Sequence, residues 1–536
     1  MMKKLIMAVT ALFLVLAVVW AGATWYIGNQ AETELRDGVA QANQRMNQML
    51  RNNISAAVHQ GQDLVELTLR DYQKGLLSTH ALLALTPTEA LRQDSQTADV
   101  KVPESLEFTT TIVHGPVLWR PSHKANSAFG LAEANAKLNT ANFSAETQQQ
   151  IEQLFAGKEP FIAQFTQSLG ASNEFDLRLN PMSNTDAASG LSFNLGAIRV
   201  KGNVAQSGQG DQAEYRVPAD YEMGSLTLLV PNEGFKIDIA GMEGNSQSLI
   251  DAQGTVINAN SSATIPRVSF SLPDLPEPIT FAADLASQSE VDDAGIADGG
   301  YQVTIKDLVT PLLPTSSLDL NLDFTGINLK AIESIQDKLQ RLNAGTGAAP
   351  LSDAEANEVI DRVFNEVFTA ERSQVKQTAL LENKLGQAAL DVNLRYQGTQ
   401  GKTLDSVAAV ENLMPQDWIQ MLDGDIDFYF DHDLFPMASL FLGNQPFIVK
   451  NDKNQYAMKL TLQGDEFALN GDNMSFTEFS RLVGMTMMGS MGRGMAPPAA
   501  SPSAPPQSGG ELTEDEAAEL QQLMEEMEGM QMEPAQ

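Results

Sequence analysis

Between Leu5 and Ile27 the chain reads LIMAVTALFLVLAVVWAGATWYI, 23 residues without one charged side chain. At a helical rise of ~1.5 Å per residue such a run covers about 35 Å, enough for a hydrocarbon core roughly 30 Å thick. Eleven of its residues are Leu, Ile, Val or Phe. Each favours insertion by roughly 0.3–0.6 kcal/mol near the middle of a membrane helix. Lys3 and Lys4 precede the run, and Glu32, Glu34, Arg36 and Asp37 follow it. The positive-inside bias therefore predicts a cytoplasmic N-terminus, with everything after residue 28 on the far side. Trp20, Trp25 and Tyr26 suit the far interface, where amphipathic rings collect. The competing reading is a cleaved signal peptide, for which Ala21-Gly22-Ala23 is an acceptable site. Against it, the apolar part exceeds the usual ~7–15 residue core of a signal peptide and continues through that site. The expectation is an uncleaved single-pass signal-anchor over residues 1–28.

Composition narrows the classes that remain. The chain has 536 residues, room for a large core, and no cysteine. A disulfide scaffold, thiol catalysis and thiolate metal sites are thereby excluded. A formal net charge of −34 argues against nucleic acid, whose phosphates reward dense Lys and Arg.

Residues 29–60, rich in Ala, Gln, Glu, Arg and Met, read as a helical stalk leaving the membrane. Ala40, Met46, Leu50, Ile54 and Val58 form its apolar seam. From Asp63 the pattern changes to period two, with Val65, Leu67 and Leu69 alternating against Glu66, Thr68 and Arg70. Asp71-Tyr72-Gln73-Lys74-Gly75-Leu76-Leu77-Ser78 follows, and then a strand-like segment from Phe108 that ends in His114-Gly115-Pro116. A tyrosine, a basic residue and a glycine before an apolar-Ser strand, then His-Gly-Pro some 40 residues on, resembles the YdgA-like family of bacterial envelope proteins. The opening anchor with Gly22-Ala23-Thr24-Trp25-Tyr26 shares that resemblance, which runs to about residue 480. The resemblance implies an inner-membrane anchor, a large periplasmic part and self-association, and it implies no established chemistry. Tyr72, Gly75, Ser78, His114, Gly115 and Pro116 are its motif residues.

Residues 61–490 read as an α+β body of mostly antiparallel amphipathic sheets with interspersed helices, divisible near 330–350. Ser144 can cap a helix over Ala145–Phe155, and Pro160 can open another. Ser225–Val230 and Phe235–Ile239 alternate around the hairpin loop Asn232-Glu233-Gly234. Segment 283–300, rich in Asp, Ala, Ser and Gly, reads as a surface loop. Ser352-Asp-Ala-Glu355 and Ser475-Phe-Thr-Glu478 are capping boxes. Residues 491–536 form a Pro- and Met-rich linker and an acidic tail. From Glu511 on, the tail holds nine acidic residues and no basic one, a composition that predicts disorder.

Three constellations invite chemistry. Asp423, Asp425 and Asp427 imitate the start of a calcium loop, but Phe428 stands where glycine is required and Leu434 where the bidentate Glu belongs. An amphipathic strand with Ile426, Phe428 and Phe430 inward fits better. His114 could serve an envelope hydrolase, although no partner Ser or Asp stands at a motif spacing. Met485, Met487, Met488, Met491 and Met495 offer thioethers of the kind that bind monovalent copper, against the plainer reading of adaptable apolar surface. The sequence therefore points to a membrane-tethered periplasmic scaffold or binding protein of the bacterial inner membrane. One-sided strands could give it an apolar groove for lipid. A second copy or another envelope protein is the expected partner, and no cofactor is expected.

Overall fold

The computed structural model describes residues 39–478, except several short stretches, the longest being 51–62, 93–103, 115–131 and 435–446. The predicted anchor, much of the stalk and the tail lie outside the described residues. Among those that are described, no helix is long and apolar enough to cross a membrane.

Period-two alternation becomes one antiparallel sheet. Its first part holds β1 (Val65–Lys74), β2 (Ser78–Pro87), β3 (Leu106–His114), β4 (Ala132–Leu138), β5 (Phe161–Gln167) and β6 (Ser172–Leu179). Next come β7 (Met182–Thr185), β8 (Ser192–Leu195), β9 (Ile198–Ser207), β10 (Glu214–Met223), β11 (Leu226–Val230), β12 (Phe235–Ile239) and β13 (Met242–Ile250). Longer strands follow: β14 (Val256–Ser271), β15 (Ile279–Val291), β16 (Ile296–Val309), β17 (Ser316–Asn328), β18 (Gln374–Asn383), β19 (Gly386–Tyr396) and β20 (Leu422–Asp431). The sheet closes with β21 (Val449–Lys450), β22 (Gln455–Gln463), β23 (Glu466–Leu469) and β24 (Asp472–Met474).

Strands β1 to β6 pair in chain order. Strands β6 to β13 are four long strands, each broken once: β6 runs on as β7, β8 as β9, β10 as β11 and β12 as β13, and the pairing registers continue unchanged across each break. Both β12 and β13 lie along the single strand β14. From there β14, β15, β16, β17, β18, β19, β20 and β22 again pair in chain order. The breaks fall at one level of the sheet, and glycine explains two of them. A Cβ on Gly196 would sit 2.6 Å from the backbone of Gly224, so only glycines let these two strands touch at the bend.

Helices rest at the margins. Residues 42, 46 and 50 are helical and bury Ala42, Met46 and Leu50 against Leu67, Leu85, Phe108, Phe161 and Phe175 of the first strands. The rings of Phe108 and Phe161 meet edge to face at 6.0 Å. Helix α1 (Ala145–Leu154), capped by Ser144 as the sequence predicts, leads into Phe155, which packs on Met182, Leu195 and Ile198. Helices α2 (Leu329–Asn343) and α3 (Asp353–Arg362) bury Ile335 and Val359 between them, and α3 carries the complete Ser352–Glu355 capping box.

Two sequence expectations fail. Segment 283–300 is not a loop: it lies in β15 and β16, joined by a turn at 292–295. Its Ala, Ser and Gly residues signal turns only in isolation, and here hydrogen bonds to a neighbour on each side fix them as strand. Pro160 opens no helix, since Phe161–Gln167 is β5, paired on both edges.

The edge of β1 is sealed by side chains. Asn43 gives its amide N–H to the Leu67 carbonyl (2.8 Å) and accepts from the Leu67 N–H (2.5 Å). Asn47 treats Val65 likewise, donating at 2.8 Å and accepting at 3.1 Å, and also accepts from Leu64 at 2.8 Å. Two asparagines one helical turn apart thus stand in for a neighbouring strand, closing an edge open to stray pairing.

Candidate functional site

Side chains of a strand alternate between faces, and residues paired across strands share a face, so the registers define complete rows. One row is Ala263–Leu285–Val303–Leu320–Ala379–Leu390–Phe428–Met458, crossing β14 to β22. The row beside it is Ile265–Ala283–Ile305–Leu318–Leu381–Ala388–Phe430–Tyr456. Neither holds a polar residue apart from the Tyr456 hydroxyl. On the reverse face the row Ser262–Ala286–Gln302–Asn321–Thr378–Asp391–Asp427–Lys459 is almost wholly polar.

In a two-layer protein such apolar rows would be the core. Here only Ala263, Ala283 and Phe430 are buried, and the other thirteen residues are half-buried. None of the sixteen belongs to the helix-covered clusters at the margins. On the same face Tyr301, Leu322 and Val375 are exposed, Tyr301 by 57%. Aromatic pairs line the face: Phe270 on Phe281, Tyr301 on Phe324, and Phe430 on both Phe428 and Tyr456. Eight strands at ~4.8 Å spacing make a surface about 34 Å across. An apolar patch this wide that the described residues leave half-covered is rare unless it binds something.

The reverse face is held by ion pairs. Asp176 takes two-pronged hydrogen bonds from Arg199 at 3.0 and 2.8 Å and is also held by Arg178. Burial pushes the Asp176 carboxyl up, but the two guanidiniums outweigh it and hold it at about 2. Lys459 bridges Asp427 (3.1 Å) and Asp425 (3.9 Å), and hydrogen bonding to Asp427 raises its pKa. Lys459 thereby relieves the repulsion between Asp391 and Asp427, which stand directly opposite each other. The strand reading of Asp423–Asp431 is thus what the structure holds.

Sheet pairing brings the motif residues to one corner. Tyr72 near the end of β1 lies opposite Ala81, Ser78 at the start of β2 lies opposite Val113, and His114 ends β3 opposite Ala132. Gly75, Gly115 and Pro116 lie outside the described residues, as do Met485, Met487, Met488, Met491 and Met495. Among the described residues the hydroxyls of Tyr72 and Thr110 are buried without a hydrogen-bond partner. No group of three or more His, Asp or Glu there is placed to hold a metal.

The apolar rows escaped sequence reading because they depend on register. Each strand shows its alternation, but which Leu meets which Phe depends on turn lengths and bulges. The Asn43-x-x-x-Asn47 spacing was visible in the sequence, and nothing there showed that it faced a strand edge.

Compared with known proteins, residues 2–436 match the family described as "Bacterial protein of unknown function (DUF945)". Protein YdgA of Escherichia coli (strain K12) is 25% identical over 225 residues, covering 41% of this chain and 41% of that protein. The aligned part therefore spans about two fifths of that relative's length. No solved structure matches.

Proposed function

The chain belongs to the family of bacterial proteins of unknown function DUF945, and from that premise we propose that it is a membrane-tethered envelope protein that holds acyl chains on the open face of its sheet. The observation that carries this is the pair of uninterrupted apolar rows, eight strands wide and only half-buried among the described residues. A bilayer core of roughly 30 Å is two leaflets, so one acyl chain extends about 15 Å and a surface about 34 Å across can shelter it whole from water. Shelter of this kind is non-directional, which suits a ligand whose only shared feature is length and apolarity. No step of bond chemistry is needed. The Leu5–Ile27 run would anchor the protein with its N-terminus in the cytoplasm and its body in the periplasm.

Site-specific photocrosslinking tests the proposal. A benzophenone side chain at Leu320 in the full-length protein should capture lipid identifiable by mass spectrometry, and one at Asn321, on the reverse face, should not. Equal yields from the two positions, or capture by Leu320 of only a second copy of the protein, would remove the reading.

A further inference from the structure

The open face has two ends, because all its strands start and stop in step. At one end the connections are those after β14, after β16, between β18 and β19, and before β22. Each presents an exposed large apolar side chain: Leu272 at 38%, Val309 at 36%, Leu385 at 41% and Val449 at 44% exposure. Exposed apolar residues scattered singly need no explanation, but four in succession along one rim do. Lys384, Lys450 and Lys453 stand exposed on the last two of these connections, with no described carboxylate within ion-pair reach, and the Lys450 ammonium lies over the Tyr456 ring at 5.7 Å. That is notable in a chain of net charge −34. Glu277, Glu382 and Asp433 also reach this rim, with Asp433 engaged by His432 at 2.9 Å. Apolar tips flanked by exposed ammonium groups that no carboxylate neutralises match the chemistry of a phospholipid surface, acyl region inside and phosphate outside.

We propose that this rim of hairpin tips rests against a lipid bilayer, so that the apolar rows open directly onto it. This rests on the acyl-chain reading of the open face and adds to it the source of the ligand. A lipid leaving the membrane at the rim would meet the aromatic pairs beside these tips, Phe270 with Phe281 and Phe430 with Tyr456, and would pass onto the rows without crossing water.

The absence of cysteine from the sequence makes the test direct. Single cysteines replace Leu385 or Val449 at the rim, and Val256 or Trp418 at the other end, in the full-length protein. Each variant carries an environment-sensitive dye and is reconstituted into phosphatidylethanolamine–phosphatidylglycerol vesicles. The proposal expects rim dyes to shift to the blue and to lose intensity when the vesicle lipids carry a quencher, with no such loss at Val256 or Trp418. Equal quenching at both ends overturns it, as does a blue shift indifferent to the quencher, which would mean that the rim meets protein. Leu385→Asp with Val449→Asp should abolish lipid capture at Leu320 while leaving thermal unfolding unchanged. Quenched rim dyes with no lipid captured at Leu320 would support bilayer docking and remove the acyl-chain reading, whereas capture with silent rim dyes would do the reverse.

Discussion

Asn47 shows how much one side chain can decide. It is 1% exposed, and its amide serves the backbone of Leu64 and Val65. Truncation leaves several buried backbone groups unpaired, each costing about 1–3 kcal/mol, so Asn47→Ala should destabilise the protein by roughly 3 kcal/mol. Urea unfolding checks this, and Asn47→Asp, which keeps the acceptor, should lose less. Asp176 gives a pH-dependent counterpart. Its carboxyl is held at about 2 against an ordinary value of 3.8. The unfolded chain therefore binds the proton more readily. The stabilisation, roughly 1–2 kcal/mol with allowance for partly exposed arginines, is full above the ordinary value and fades as pH falls through about 2. Asp176→Asn should lower stability at pH 7, and the difference from wild type should vanish near pH 2. Neither role was legible beforehand, because Asn43, Asn47, Asp176 and Arg199 meet partners up to 24 residues away in the sequence.

Individual strands and helices were far more legible. Ser144 and Ser352 announced their helices by cap chemistry, and Ile426, Phe428 and Phe430 announced a one-sided strand. These signals are local and survive any fold. Segment 283–300 misled because Ala, Ser and Gly carry little preference of their own, so that neighbouring strands decided the outcome. The burial contrast between strands yields a prediction at this scale. Phe161 is fully buried in the helix-covered cluster, and Phe161→Ala should cost about 3–5 kcal/mol. Leu390 is half-buried on the open face, and Leu390→Ala should cost under about 1.5 kcal/mol because there is no packed cavity to create. Parallel unfolding curves separate the two. Similar losses would mean that something covers the open face.

For the molecule as a whole, the sheet-rich class was legible and its continuity was not. Short alternating segments with Gly, Asn and Pro between them suit sandwiches, barrels and open sheets alike. What distinguishes them is whether apolar rows find a second layer, and from β14 to β22 they find only half-shelter.

From β14 to β22 each strand bonds only to the one before it and the one after it in that order, and among the described residues no pairing joins the two ends of the sheet. Each new hairpin needs just the edge left by the one before it. Such a sheet could gain or lose a hairpin in the course of evolution, and the remaining strands would keep both their direction and their inward side. The reach of the greasy surface is therefore a heritable length, adjustable in steps of two strands, without redesign of any other part.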